Sequence, residues 1–252
     1  MKTLLLYHHL GLGDCISCNA LVRKVLFENN FDKLYLIVKK QHLGTVAMMY
    51  HDEKRIECVP ISTGGEHDED GERHEYERVI RELSPSHILN IGHGNYSKLQ
   101  QIFPHFDCHQ RFYASLGYDF SVRYNEFKYD RNYQEEERLF NKLNPDNQPY
   151  IFVHGDSSRG RLMDYERIAK HNTENVKIIE NDISESLLNF GLVLERAKQV
   201  HLMESSFRAY IETLNTDSVR LFLHLYVRPV ENMFSYCGKG KNATSKDWTV
   251  LL

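Results

Sequence analysis

Apolar residues fall in short runs separated by polar turns, the spacing of buried strands that alternate with helices. The first run, Leu4-Leu5-Leu6-Tyr7, ends in His8-His9 and the turn Gly11-Leu12-Gly13-Asp14. Helical periodicity follows, with Ile16, Ala20, Leu21, Val25 and Leu26 on one stripe that Asn29-Asn30 closes. Residues 34–38 predict a second strand, 46–50 a short helix and 56–61 a third strand. Strand, helix, strand in this order is the unit of a right-handed parallel sheet. Residues 62–73 have no apolar anchor and predict a surface loop. Residues 76–83 then read as a helix, and 87–91 as a strand running into Gly92-His93-Gly94-Asn95. A helix over 109–116, an extended aromatic-rich stretch over 118–129 and a charged helix over 131–143 complete this half.

Asn144-Pro145-Asp146-Asn147-Gln148-Pro149 interrupts the pattern, and the domain boundary is placed there, giving lobes 1–144 and 145–252. A second cycle begins with the strand 150–154, which delivers Gly155-Asp156-Ser157-Ser158-Arg159-Gly160-Arg161. Strands over 176–179, 200–203 and 219–224 alternate with helices over 187–197 and 207–214. Residues 228–252 carry little pattern and can cross back onto the first lobe. The expected fold is α/β, two Rossmann-like lobes facing a cleft.

Composition narrows the class. With 252 residues, 41% hydrophobic and 26% charged, the chain can bury a sizeable core. A net charge of -4 argues against binding nucleic acid by bulk charge, although a local basic cleft stays open. No apolar run approaches the ~18 residues that cross a bilayer, and no secretion-signal cleavage site follows Met1. The expected location is the cytoplasm, with at most peripheral membrane contact. Five cysteines at 15, 18, 58, 108 and 237 form no disulfide framework. Cys15-Ile16-Ser17-Cys18 has redox spacing but reads as two small buried side chains on the first helix. No second Cys or His pair is spaced to complete a zinc site, so no metal is expected. Asp68-Glu69-Asp70 matches an Asp-x-Asp metal-binding signature but lies in an acidic run with no strand to hold it, and reads as solvated.

Three loops carry candidate chemistry. Asp14 falls at a strand's C-terminal edge, where loop amides and helix starts converge and favour an ionised carboxylate suited to accept a proton. Gly11-x-Gly13 is an incomplete dinucleotide fingerprint, because its third position is Ile16 and Asp14 would repel a pyrophosphate. In the second half, Ser157, Ser158, Arg159 and Arg161 offer hydroxyls and planar guanidinium forks to a diphosphate. Ser205 and Ser206, at a strand-to-helix junction, add hydroxyls and free amides. Glu180 could hydrogen-bond a nucleobase or ribose, or cap the helix that follows.

Gly11-Leu12-Gly13-Asp14, ending a strand and opening a helix, resembles the N-terminal motif of the lipopolysaccharide heptosyltransferase family and related GT-B glycosyltransferases. The longer string from His9 through Asp14, Cys18, Asn19 and Val22 to Arg23 is similar to short glycosyltransferases of bacteria and large viruses. The resemblance implies that Asp14 is the base that deprotonates the acceptor hydroxyl. It also implies that Phe152-Val153-His154 with Ser157-Ser158-Arg159-Gly160 holds the donor diphosphate. Glu204-Ser205-Ser206-Phe207 replaces the Asp-Thr-Gly-x-x-His signature of the heptosyltransferases and looks closer to the Ser-Ser-Phe of fucosyltransferase-like GT-B folds, which leaves the donor open.

The expectation is a metal-independent inverting glycosyltransferase with no cofactor beyond a nucleoside diphosphate sugar as co-substrate, and a glycan or lipid-linked acceptor. Asp14 and His9 are the expected catalytic residues. Gly11, Gly13, His8, His93 and Asn95 would meet the acceptor, and His154, Ser157, Ser158, Arg159, Arg161, Glu180, Ser205, Ser206 and Phe207 the donor. Alternatively His8 or His9 is the base and Asp14 orients it. A nucleotide-dependent oxidoreductase and a non-catalytic sugar-nucleotide or glycan-binding module remain as rival functions.

Overall fold

Among the described residues nine stretches form strands, and in each half the innermost ones are buried along their whole length, as Leu4, Leu5 and Leu6 and again Ile151, Phe152 and Val153 are. Strands covered on both faces belong in a parallel sheet flanked by helices. The structure is a computed structural model that describes residues 1–63, 68–92, 95–156, 160–228 and 244–252, with the backbone alone at Glu69 and Tyr96. It divides into two units, Met1–Asp130 and Arg131–Leu252.

The first unit holds β1 (Thr3–Tyr7), β2 (Lys33–Lys39), β3 (Ile56–Ile61) and β4 (His87–Asn90), all parallel, in the order β3-β2-β1-β4. The second holds β5 (Tyr150–His154), β6 (Lys177–Glu180), β7 (Gln199–Leu202), β8 (Arg220–His224) and β9 (Trp248–Leu251), also all parallel, in the order β6-β5-β7-β8-β9. Each sheet therefore reverses its winding once: between β1 and β4 in the first unit, and between β5 and β7 in the second. Connections leave such a point in opposite directions and open a crevice at the strands' C-terminal ends. Among the described residues no helix is long and apolar enough to cross a membrane.

Several elements differ from the sequence expectation. Of the stretch expected as a loop over 62–73, residues 64–67 lie outside the described residues and the last part is instead the start of a helix, Glu69–Leu83, whose cap is Asp68, accepting from the Gly71 amide at 3.0 Å. Its charges are the solvated face of an amphipathic helix; Val79 is buried, and Tyr76, Ile80 and Leu83 pack on the core beside it. Glu72 turns inward to pair with buried Lys39 at 2.7 Å. The stretch 118–129 contains a short helix, Val122–Asn125, and a further helix, Tyr96–Ile102, follows β4.

The helix Tyr133–Leu143, expected to end the first lobe, belongs to the second unit. Glu136 accepts from the Leu192 amide at 2.9 Å, and Arg131 bridges Glu136 and Glu195 at 2.5 and 2.7 Å. The proline-rich break at 145–149 thus separates a helix and a strand of one unit. The described end of the tail belongs to this unit as well: Trp248–Leu251 extends the second sheet and the Trp248 indole donates to Glu212 at 2.9 Å.

Inside the second sheet, His201 Nδ1 and His224 Nε2 share a proton at 2.9 Å, and the chain of contacts runs on to Gln199 Oε1 at 3.0 Å and the Tyr226 hydroxyl at 2.8 Å. Both rings have no exposed surface. Burial, reinforced by neighbouring His171, holds them below the usual imidazole range, at about 3 for His201 and about 4 for His224. Arg220 adds to the shift on His201 and Arg167 to that on His224, while Asp164 opposes the latter. The unfolded chain takes up these protons near pH ~6.5 and the folded one only well below it, so folding stability is complete above ~6.5. It falls as the pH drops toward about 4. Each ring contributes up to ~1.4 kcal/mol per pH unit in that window. In urea unfolding at pH 7 and pH 5, His224→Phe is expected to be less stable at pH 7 and to lose less on acidification than the native chain; an unchanged difference would remove this pair from the acid response.

Candidate active site

In the first unit the switch point is lined by the loop after β1 and the start of the helix Leu12–Ser17, with Asp14 in its first turn. A second helix, Cys108–Ser115, is brought against it. A capping box fixes the first turn of that helix: Asp107 accepts from the Gln110 amide, and the Gln110 side chain accepts from the Asp107 amide, both at 2.9 Å. The Tyr113 hydroxyl then donates to the Ser17 carbonyl at 2.8 Å and ties the two helices together. With both helices held, Asp14 Oδ1 meets His109 Nε2 at 2.8 Å. The Asp14 side chain keeps 23% of its surface exposed.

Burial alone would raise the pKa of Asp14, but the hydrogen bond and charge of His109 outweigh it and hold the carboxyl at about 2. Burial works against the charge on His109, and Cys108 and Asp14 beside it overcome that and raise it to about 10. The two form a carboxylate–imidazolium pair at neutral pH. His9 is half-buried, acts on Asp14 through its charge, and packs against Phe112 with ring centroids 5.3 Å apart.

The remaining first-unit expectations separate. His8 has no exposed surface; its Nδ1 is occupied by the His9 carbonyl and burial lowers its pKa, so it presents nothing to an acceptor. Its Nε2 has no hydrogen-bond partner among the described residues. Asn95 spends its side-chain amide on the Asn90 carbonyl at 2.8 Å and shapes the turn after β4. Gly13 lies in the first turn of the helix with Asp14. His93 lies outside the described residues. Cys15 and Cys18 are fully buried, and burial pushes both thiols well up, in keeping with the non-redox expectation.

In the second unit the switch point collects the ends of β5, β6 and β7. His154 packs against Phe207 with ring centroids 4.3 Å apart and donates through Nδ1 to Asn181 Oδ1 at 2.9 Å; burial lowers its pKa. Phe207 is itself core, packed on Phe152 and Phe190. Asp156 and Arg161 exchange backbone hydrogen bonds at 2.9 Å in both directions, which closes the loop between them. Arg161 Nη1 is buried with no hydrogen-bond partner among the described residues. Ser205 stands before the helix Ser206–Ile211, yet its hydroxyl makes no cap bond and is also buried without a partner among the described residues. Glu180 is engaged by the Tyr165 hydroxyl. Ser157, Ser158 and Arg159 lie outside the described residues.

Sequence reasoning missed His109, Cys108 and Arg228. Arg228 Nη1 donates to the Glu204 carbonyl at 3.3 Å, which places a second cation beside Ser205. Among the described residues, Asp14, Cys108 and His109 are also the one set of three potential metal ligands, with their donor atoms within 4.8 Å of one another. Asp14 is 95 residues from His109 in the chain, so no local spacing reports either grouping.

Two glycines differ in a testable way. A Cβ on Gly11 would stand 2.5 Å from Asp14 Oδ2, the mobile end of a side chain, whereas one on Gly92 would strike the backbone of His8 and His9. Gly11→Ala is expected to keep its melting temperature within a few degrees while displacing the carboxylate from His109. Gly92→Ala is expected to cost about 1–3 kcal/mol, because backbone must move. Thermal denaturation of both and a crystal structure of the first check this; an unmoved Asp14 in Gly11→Ala would refute it.

No protein-family model and no curated protein sequence matches the chain. Solved structures do. A glycosyl transferase family 9 protein from Veillonella parvula DSM 2008 superposes with a TM-score of 0.59 at 10% identity, covering 99% of this chain and 86% of that one. The E. coli ADP-heptose lps heptosyltransferase II gives a TM-score of 0.59 at 14% identity, covering 100% of this chain and 90% of that one. At such identities the likeness is one of fold: the chain shares with these two proteins an α/β architecture of two Rossmann-like lobes, as the sequence led one to expect.

Proposed function

We propose that this chain is an inverting glycosyltransferase that moves a sugar from a nucleoside diphosphate sugar to an acceptor hydroxyl, with Asp14 as the general base. The observation that carries the reading is the partly exposed Asp14 carboxylate, held by His109 at the switch point of the first sheet. The fold shared with two glycosyltransferases supports it. The first unit handles a glycan or lipid-linked acceptor and the second the donor, and the reaction takes place in the cytoplasm.

The chemistry follows from the groups present. The acceptor oxygen attacks the anomeric carbon from the face opposite the diphosphate, the bond to the diphosphate breaks, and the hydroxyl proton passes to Asp14. His109, already protonated, keeps the carboxylate oriented, and His9 lies beside it as an acceptor contact. Charge accumulates on the departing diphosphate. Arg161, Arg228 and the Ser205 hydroxyl stand ready to receive it, joined in this reading by Ser157, Ser158, Arg159 and Ser206. Guanidinium groups take the place that a divalent ion occupies in metal-dependent enzymes.

The test begins with the donor. A thermal-shift screen of UDP-, GDP-, ADP-, CMP- and dTDP-sugars beside NAD is expected to show stabilisation by a nucleoside diphosphate sugar. Stabilisation by NAD alone would favour the oxidoreductase instead. With the donor known, Asp14→Asn is expected to lower transfer by ~10²–10⁴-fold while donor affinity stays within a few-fold. Arg161→Ala is expected to weaken donor binding by roughly tenfold or more, the scale of one charged hydrogen bond. Donor binding without transfer in the native chain would leave only a binding module.

A further inference from the structure

The geometry points to a divalent-cation site of the zinc class formed by Asp14, Cys108 and His109. Their ligand atoms lie within 4.8 Å of one another, and Asp14 Oδ1 and His109 Nε2 are already 2.8 Å apart. Two ligands ~2.0 Å from a tetrahedral ion stand ~3.3 Å apart, so the pair opens by about half an ångström to admit one. Cys108 and His109 share the first turn of a helix that the Asp107–Gln110 capping box fixes, and Asp14 sits in the first turn of the helix tied to it through Tyr113. The scaffold is thus set before any ion arrives.

The donor set selects the ion. Magnesium and calcium prefer shells made of oxygen, and here a single carboxylate faces one sulfur and one imidazole nitrogen. Sulfur, nitrogen and oxygen together suit zinc, and cobalt(II) as its spectroscopic substitute. A carboxylate and a thiolate cancel the two charges of the ion, so a partly buried site carries no net charge. Three protein ligands leave the fourth position open to water, the pattern of reactive rather than closed structural zinc sites. Binding displaces the Cys108 thiol proton and the proton held between Asp14 and His109 to solvent.

This site uses the atoms that the proposed transfer needs. An ion on Asp14 occupies the lone pairs that would take the acceptor proton, so zinc is a reversible inhibitor; that consequence alone rests on the proposed function, and the binding does not.

Cobalt(II) added to the metal-free, reduced full-length protein is expected to give a sulfur-to-cobalt charge-transfer band that saturates at one ion per chain and is abolished by zinc. The near-isosteric Cys108→Ser is expected to lose the band, and His109→Gln to weaken binding by tenfold or more. The metal-free melting temperature of each variant checks that it folds. No band in the native chain, or a band that survives Cys108→Ser and so comes from another cysteine, overturns the site. In a transfer assay zinc is expected to inhibit the native chain and EDTA to restore it, with Cys108→Ser much less sensitive. A metal-binding chain with no transfer activity would sink the function and leave the site standing, whereas transfer indifferent to saturating zinc would overturn the inhibition.

Discussion

The contact between Asp14 and His109 depends on the order in which the first sheet is built. Winding outward through β2 and β3 and returning to β4 leaves the end of β1 beside chain that comes much later, and the helix Cys108–Ser115 arrives at that crevice rather than at the sheet's outer edge. Gly92 closes the arrangement from below. Having no side chain, it lies directly on the backbone of His8 and His9, so the end of β4 holds the end of β1 in place. Fully buried His8 is part of this support, and partly exposed His9 and Asp14 are what it presents. A polar group at such a crevice is positioned by a rigid sheet, and its freedom is limited to its own side-chain rotation.

What the sequence made legible follows the same division. Buried parallel strands are continuous apolar runs, and eight of the nine were readable as such; β9 was not, because Trp248–Leu251 is held by Glu212 and its neighbour strand rather than by its own pattern. The run at 62–73 misled because charge density describes only the outer face of a helix, and the buried face begins late, near Tyr76. The break at 145–149 was a real interruption, but a turn marks the end of an element and says nothing about which sheet that element packs on. Here the ion pairs of Arg131 with Glu136 and Glu195 decide it. Asp14 was legible as a candidate because a glycine turn after a strand is a local signal. His109 was not, since a histidine on a helix has no local mark of the partner it will meet.

The second unit repeats the scheme with different chemistry. Its winding reverses between β5 and β7, and the groups found there include the cations Arg161 and Arg228 and the Ser205 hydroxyl, with the Glu204 carboxylate beside them. Arg161 Nη1 and the Ser205 hydroxyl are buried with no hydrogen-bond partner among the described residues. Such atoms cost free energy unless water or a ligand satisfies them. The acid is in one sheet's crevice and the cations are in the other's.

That separation bears on how much the acid can do. A carboxylate held at about 2 by an imidazolium is a weak base, and a weak base removes a hydroxyl proton only once the oxygen has already begun to share its electrons with carbon. In the proposed transfer the proton would therefore move late, as the bond from the acceptor oxygen to carbon forms. Reception of the leaving phosphates by the arginines of the second unit would then weigh heavily on the barrier. In that proposal Asp14 aims the acceptor and takes its proton as the new bond forms, which prevents its return. The His109 contact suits those tasks, because orientation is what a charged hydrogen bond fixes best and basicity is what it gives up.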